Sequence, residues 1–402
     1  MSGPPAILLG ANVVTAMSIL RGLGRAGVDV RLLCRPGAAP SYSRHASRLP
    51  ADGTGSQPER WLRYLLGPGR RELRGAVLLA CNDDAIELLL DHRDELEDHY
   101  LLDVCDPAAQ RAMLDKLATY RAAAAAGVPT PRFWPAESAA DVEAHKDEYR
   151  YPLMVKPLYA HKFKKVLDGK YLMAHDEGEL MAACRLVEQH GVEVVLLEVI
   201  PGPDDLLCSY YTYLDEQGEP QFHFTKRIIR RYPEREGFGC YHITDWNPEV
   251  RDLGLKLFRH VGLRGVANVE FKRDPRDGRL KLIECNARFT AANGLLTASG
   301  IDLGTYVYRR LAGLPQPSPA ETPYLKGLRL WYPLDDFLAF LDLRREGRLD
   351  LGSWLRDVAH PQVLPYFSWT DPVPSVVRLK PTLRMGIARN LRRVRPRSMR
   401  RA

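Results

Sequence analysis

The sequence predicts an α/β fold that gives way to α+β, and three observations predict it. The first 108 residues alternate short apolar strands with amphipathic helices. Beyond residue 150, strand-like runs come in pairs around polar turns, the pattern of antiparallel hairpins. The chain has 402 residues, 45% of them apolar, enough for two or three domains with real cores. No apolar run approaches the roughly 20 residues of a membrane span.

"PAILLGANVVTAMSILRGLGRAGVDVRLLCR" opens the fold. Ala6–Leu9 reads as a buried strand, Gly10 as a turn, residues 13–25 as a helix and residues 28–33 as the next strand. "GAVLLACNDDAIELLLDHRDEL" repeats the plan: a strand at 76–80, a loop through Asn82, and a helix from about Ala85 capped by Asp83 or Asp84. Residues 1–108 therefore form a small parallel-sheet domain with a Rossmann-like pattern. The G-x-G-x-x-G fingerprint of a dinucleotide site is missing, because Gly10 is followed by Ala11, Asn12, Val13 and Val14.

"DPAAQRAMLDKLATYRAAAAAGVPTP" predicts one long alanine-rich helix ended by Gly127 and Pro129. "YPLMVKPLY" is a β-rich run bearing Lys156, and residues 176–190 are helical. "VEVVLLEVIPGPDD" is an apolar strand that breaks at a Pro-Gly turn. A hairpin of alternating aromatics follows in "CSYYTYLDEQGEPQFHFTKRIIRRYP". Pro248–Val261 is a helix, and "GVANVEFKRDPRDGRLKLIECNARF" is a second hairpin. Residues 315–323 hold four prolines and read as a linker. The expected boundaries are 1–108, 109–197, 198–323 and a less regular 324–402.

The seven cysteines are scattered and contain no C-x-x-C, which argues for free thiols in a reducing compartment. The first residues lack the basic start of a signal peptide, so a cytoplasmic protein is expected. The formal charge is +7, and residues 383–402 alone carry eight arginines and no acid. That tail is either simply solvated or suited to anionic lipid headgroups or a nucleic acid.

The second hairpin carries the densest chemistry. Folded about Arg276 or Asp277, it brings residue 270 opposite 283 or 284. Glu270 and Glu284 become cross-strand neighbours, with Asn286 one step along on the same face. Two carboxylates so close repel unless something lies between them. All-oxygen donors favour a hard cation, and magnesium joins one or two carboxylates to substrate phosphates. The plain alternative is a solvated acidic patch. Arg288 adds a bidentate donor for a phosphoryl oxygen. Lys156, inside an apolar strand, needs an anionic partner, which a phosphate supplies. The basic segment after it, with Lys164, suits a cover over a triphosphate. Backbone at Glu198, Val199 and Ile200 is placed to read an adenine edge, and Asp204 or Asp205 to take ribose hydroxyls. Cys285, between two proposed ligands, should point into the core.

This order of features resembles the ATP-grasp superfamily of carboxylate–amine ligases, over roughly residues 5–315. The resemblance rests on Lys116 in "LDKLATYRAAAAAGVPTP", on "LMVKP", on "LLEVIPGPD" and on the Glu-x-Asn-x-Arg string. "FTKRIIRRYP" and "YFSWTDPVPS" are similar to the branch akin to D-aspartate ligase. The resemblance implies a Rossmann-like domain, a two-lobed ATP-grasp fold and a C-terminal extension. It implies Lys116 and Lys156 on the phosphates, Glu198 to Ile200 at the adenine and Asp204 at the ribose. Glu270, Glu284 and Asn286 would hold two magnesium ions, or manganese in their place. Arg288 would hold an acyl phosphate, with Arg231 nearby.

The expected reaction activates a carboxylate with ATP and couples it to an amine, releasing ADP and phosphate. The partners are then a small carboxylate, such as an amino acid, and an amine acceptor; a homodimer is in keeping with the resemblance. A protein that binds ATP without catalysis is the rival. Ser43-Arg44 and Asn82-Asp83, at strand ends of the first domain, are candidates for the substrate pocket.

Overall fold

A computed structural model of the chain describes residues 3–136, 138–159, 171–234, 237–315 and 324–378. Lys164 with its basic segment, most of the proline-rich linker and the arginine-rich tail lie outside the described residues. No helix among the described residues is long and apolar enough to cross a membrane.

Strands β1 (Ala6–Leu9), β2 (Val30–Leu33), β3 (Ser47–Arg48) and β4 (Val77–Ala80) form a parallel sheet in the order β3-β2-β1-β4. β1 and β4 are buried along their whole length, as their unbroken apolar runs require. β2 starts later than residue 28, because the Val28 amide donates back to Leu23 O at 3.0 Å and closes the preceding helix. The helix after β4 spans Asp83–Asp91 and starts earlier than expected. Its cap is Asn82, whose Oδ1 accepts from the Ala85 amide at 2.9 Å, rather than either aspartate.

The single alanine-rich helix is in fact two, Pro107–Leu114 and Lys116–Ala125. Asp115 between them is extended, with φ −84° and ψ 122°, and its side chain caps the second helix through the Ala118 amide. An aspartate that can satisfy an orphan N–H outcompetes one more helical turn. Lys116 thereby becomes the first residue of a helix.

A second sheet comprises β5 (Phe133–Ala136), β6 (Leu153–Pro157), β7 (Leu172–Ala174) and β8 (Val194–Glu198), antiparallel in the order β5-β8-β6-β7. The third and largest sheet has the order β13-β12-β9-β10-β11-β14-β15. It contains β9 (Leu207–Leu214), β10 (Phe224–Tyr232), β11 (Phe238–Asp245), β12 (Gly265–Arg273), β13 (Leu280–Asn286), β14 (Arg329–Trp331) and β15 (Gln362–Val363). Helix Pro248–Val261 forms over the residues expected: Asn247 caps its start, Pro248 fits its first turn, and Gly262 at φ 71° ends it.

One continuous core joins the small parallel sheet to the large sheet. It runs from Leu8 and Ile19 to Tyr211, Phe224 and Leu295. Two buried ion networks fasten the C-terminal residues to it. Asp336 accepts from Arg230 Nε at 2.6 Å and from the indole N–H of Trp331 and Trp354 at 3.0 and 2.9 Å. Asp371 accepts from Arg21 Nε at 2.9 Å, Ser43 Oγ at 2.8 Å and the Arg44 amide at 3.0 Å. Ser43-Arg44, expected at a substrate pocket, is thus occupied by the chain's own aspartate.

Candidate active site

The hairpin β12–β13 is shaped at its turn by Asp274. This buried carboxylate accepts from Arg276 Nε at 2.9 Å and Lys281 Nζ at 2.6 Å, which hold it well below the usual carboxylate range. The resulting register puts Glu270 directly opposite Glu284 and Asn268 opposite Asn286. Asn286 Nδ2 lies 3.4 Å from both Glu284 Oε1 and Asn268 Oδ1. The ladder then slips by one residue, pairing Phe271 with Leu282 and leaving Ile283 as a bulge. Its carbonyl leaves the ladder and accepts from Tyr120 Oη at 2.6 Å and Lys156 Nζ at 3.3 Å. The bulge therefore aims the lysine of the second sheet at the acidic pair of the third.

Residues directly opposite in antiparallel strands share a face. Reading across the large sheet, one such row is Glu284, Glu270, Ser209, Lys226 and Thr244. Lys226 is buried, donates to Ser209 Oγ at 3.1 Å and is pulled below its ordinary pKa by burial, with Glu270 opposing. It is a functional candidate that the sequence reading missed. The signal was available: a lysine at an apolar-facing position of "FHFTKRII" is the same anomaly as Lys156.

Lys156 is buried, and burial lowers its pKa against the attraction of Glu284 and Glu270. Lys116 donates to Leu158 O at 3.3 Å. Burial, and then repulsion from Lys156, bring its pKa down to about 8, with Glu284 and Asp83 opposing. Arg288 presents Nε and Nη2 to the carboxylate of Asp83, the second contact at 3.2 Å, and Nη1 to Phe289 O at 3.2 Å. Of Asn82-Asp83, a sequence candidate for the substrate pocket, Asp83 meets Arg288 and Asn82 caps its helix.

The segment after β8 is held by charge. Glu198 accepts from the Arg132 amide at 3.2 Å and Arg276 Nη1 at 2.6 Å. Lys272 donates to Ile200 O at 3.0 Å and Gly202 O at 2.8 Å, on either side of a turn just beyond Val199. Asp204, expected at the ribose, and Arg231, expected near the acyl phosphate, form an ion pair of 2.6 Å with each other. Asp204 is only 6% exposed. The guanidinium neutralises that buried acid, an essential partner in such surroundings. Cys285 is buried against the core, and burial pushes its thiol up.

Among the described residues no three His, Cys, Asp or Glu side chains are arranged to hold a metal. Two carboxylates and an amide are a platform rather than a cage. That suits a cation that keeps its waters and completes its shell with phosphate oxygens.

No family model matches the chain. It is 23% identical over 241 residues to a D-aspartate ligase of Enterococcus faecium, a match covering 58% of this chain. It is 32% identical over 184 residues to a D-alanine–D-alanine ligase of Stutzerimonas stutzeri, covering 44% of this chain. The chain spans 57% and 56% of the length of these two curated relatives. Among solved structures, an L-amino acid ligase of Bacillus licheniformis superposes with a TM-score of 0.59 at 17% identity, over 82% of this chain and 79% of the other. An N5-carboxyaminoimidazole synthetase of Staphylococcus aureus does so with 0.59 at 14%, over 79% and 80%. The chain shares the ATP-grasp fold of these structures. A further ATP-grasp neighbour is the biotin carboxylase domain of a Hydrogenobacter thermophilus 2-oxoglutarate carboxylase, crystallised with MgADP, ADP and bicarbonate. Its TM-score is 0.62 at 17% identity, over 82% of this chain and 74% of that one.

Proposed function

We propose that this protein of ATP-grasp fold is an ATP-dependent carboxylate–amine ligase. The observation that carries the reading is the direct pairing of Glu270 with Glu284 near the buried Lys156 and the half-buried Lys116 of other elements. Paired acids facing buried cations are costly to fold and suit a ligand that carries both metal and phosphate. The D-aspartate ligase, D-alanine–D-alanine ligase and L-amino acid ligase likenesses support an amino acid as the carboxylate.

In this reading a carboxylate oxygen attacks the γ-phosphorus of ATP and the bond to ADP breaks. An amine then attacks the acyl carbon, phosphate leaves, and the amine's proton passes to water. Lys116, Lys156 and Lys226 bind phosphate oxygens. Glu270, Glu284 and Asn286 would hold magnesium, which would supply charge neutralisation for the transferred group. Arg288 orients the acyl phosphate. Backbone of Glu198, Val199 and Ile200 lines the adenine, and Asp204 with Arg231 shapes the ribose edge. The protein's contribution is position and charge, not a covalent nucleophile.

The test is ADP release from Mg-ATP with a panel of D- and L-amino acids and amine acceptors. Glu284→Gln should abolish turnover with the fold intact by circular dichroism. Unchanged turnover in that variant refutes the assignment of the platform.

A further inference from the structure

We propose that Lys272 is a positioning residue for the nucleotide base: it closes the turn at residues 200–203 and fixes the backbone of residues 198–200 relative to the strand that carries Glu270. This rests on the reading of that backbone as the adenine site and of Glu270 as part of the metal platform.

The chain leaves β8 at Glu198 and turns through Ile200, Pro201, Gly202 and Pro203 towards β9. Gly202 has φ 89°, where a side chain is strained. An added Cβ would also lie 2.7 Å from Leu206 Cδ1 and 3.4 Å from Pro275 Cγ. A turn with proline and glycine at its centre is ordinarily closed by the N–H of its fourth residue, which donates to the carbonyl of its first. Here the fourth residue is Pro203, which has no N–H. The turn therefore cannot satisfy Ile200 O from within. Lys272 Nζ donates to it at 3.0 Å, and to Gly202 O at 2.8 Å. Lys272 is buried. Burying an ammonium is costly, so two well-placed carbonyl acceptors matter to it as much as it matters to them.

Lys272 stands two residues beyond Glu270 on β12, so both side chains leave one face of that strand. β12 pairs with β9 from Gly265 to Lys272 without a shift in register. The slip in the hairpin lies on β13, at Ile283. One regular strand thus carries the acid and the lysine at a fixed separation, roughly 7 Å along its axis. The same hairpin holds the segment again at its tip. Arg276 Nη1 donates to Glu198 Oε1 at 2.6 Å, and Arg276 Nε is itself held by Asp274 Oδ1 at 2.9 Å. Residues 198–200 follow a strand of the second sheet, yet their position is set by a hairpin of the third. A ligand with a base at one end and phosphates at the other needs both ends held at one spacing.

The experiment is calorimetric titration of the full chain, with magnesium present, against two probes. One is a non-hydrolysable ATP analogue. The other is inorganic tripolyphosphate, which carries the phosphates without the base. The variants are Lys272→Met and Gly202→Ala. Lys272→Met is expected to bind the analogue about tenfold more weakly, the worth of one or two hydrogen bonds, and tripolyphosphate as the wild type does. Gly202→Ala disturbs the turn from its other side without touching a buried charge, and it decides the matter if methionine at 272 prevents folding. It should show the same unequal loss. A purely structural role for Lys272 lowers the melting temperature and leaves the ratio of the two affinities unmoved; that result overturns the proposal. So does an equal loss for both probes. A wild-type protein that binds the analogue no better than tripolyphosphate removes the reading of residues 198–200 as the adenine site. A preference for the analogue that survives in both variants removes this inference alone.

Discussion

Replacing Lys116 by methionine should make the ligand-free protein more stable. The wild-type ammonium sits where burial and Lys156 bring its pKa from 10.5 to about 8. That displacement corresponds to roughly 3 kcal/mol of unfavourable free energy. Lys116 keeps some exposure and donates to Leu158 O, so screening and the lost hydrogen bond leave a net gain of about 2 kcal/mol. The sign follows from linkage. Between pH 8 and 10.5 the unfolded chain holds more protons on this lysine, so wild-type stability rises with pH across that window. The wild-type penalty is complete below it and absent above it. Urea unfolding of both proteins at pH 7 and pH 10.5 measures this: the variant should lead at pH 7, and the difference should shrink towards zero at pH 10.5. Calorimetric titration with a non-hydrolysable ATP analogue should show binding weaker in the variant by about 1.5–3 kcal/mol, the worth of a charge-assisted contact. A variant no more stable at neutral pH, or equally advantaged at both, refutes the account of Lys116 as a strained phosphate ligand.

Other outcomes are equally definite. Asp336→Ala leaves the buried Arg230 with Asp357 alone and takes the acceptor from two indole N–H groups; it should lower stability by about 2–3 kcal/mol in urea. Arg231→Met should raise the apparent Kd for ATP, because it removes the guanidinium that pairs with Asp204 beside the proposed nucleotide site. A variant with unchanged nucleotide affinity would separate that ion pair from binding. All seven cysteines are free and mostly buried, and burial holds the thiols of Cys34 and Cys105 up to about 11. Native protein at pH 8 should therefore react slowly with a disulfide reagent, and all seven thiols should react once it is unfolded in urea.

Local signals were legible in the sequence. Asn247, Pro248 and Gly262 bound their helix without ambiguity, and the polar turn at 274–278 placed Glu270 within one residue of its partner. The slip at Ile283 was not legible, since nothing in an apolar run marks which residue will leave the ladder. Asp115 was hidden for a related reason. Its alanine-rich surroundings have no periodicity for a break to interrupt, and only the capping contact reveals it. The pairs that define the site's electrostatics lie beyond any spacing rule. Arg288 finds Asp83 across 205 residues, and Asp204 and Arg231 were assigned separate tasks before they proved to be each other's partner. Lys226 was legible and overlooked, because neighbouring arginines disguised it as one more surface charge.

The clasp between Asp371 and Arg21 spans 350 residues. A ribosome releases Arg21 early and Asp371 late, so a growing chain carries a half-finished first domain for most of its synthesis. Until residues 366–371 emerge, the arginine destined for burial has neither Tyr366 O nor the Asp371 carboxylate to receive it. Prematurely terminated chains should then be recognisable to quality control by a loosened N-terminal sheet, however intact the Glu270–Glu284 hairpin they have already made.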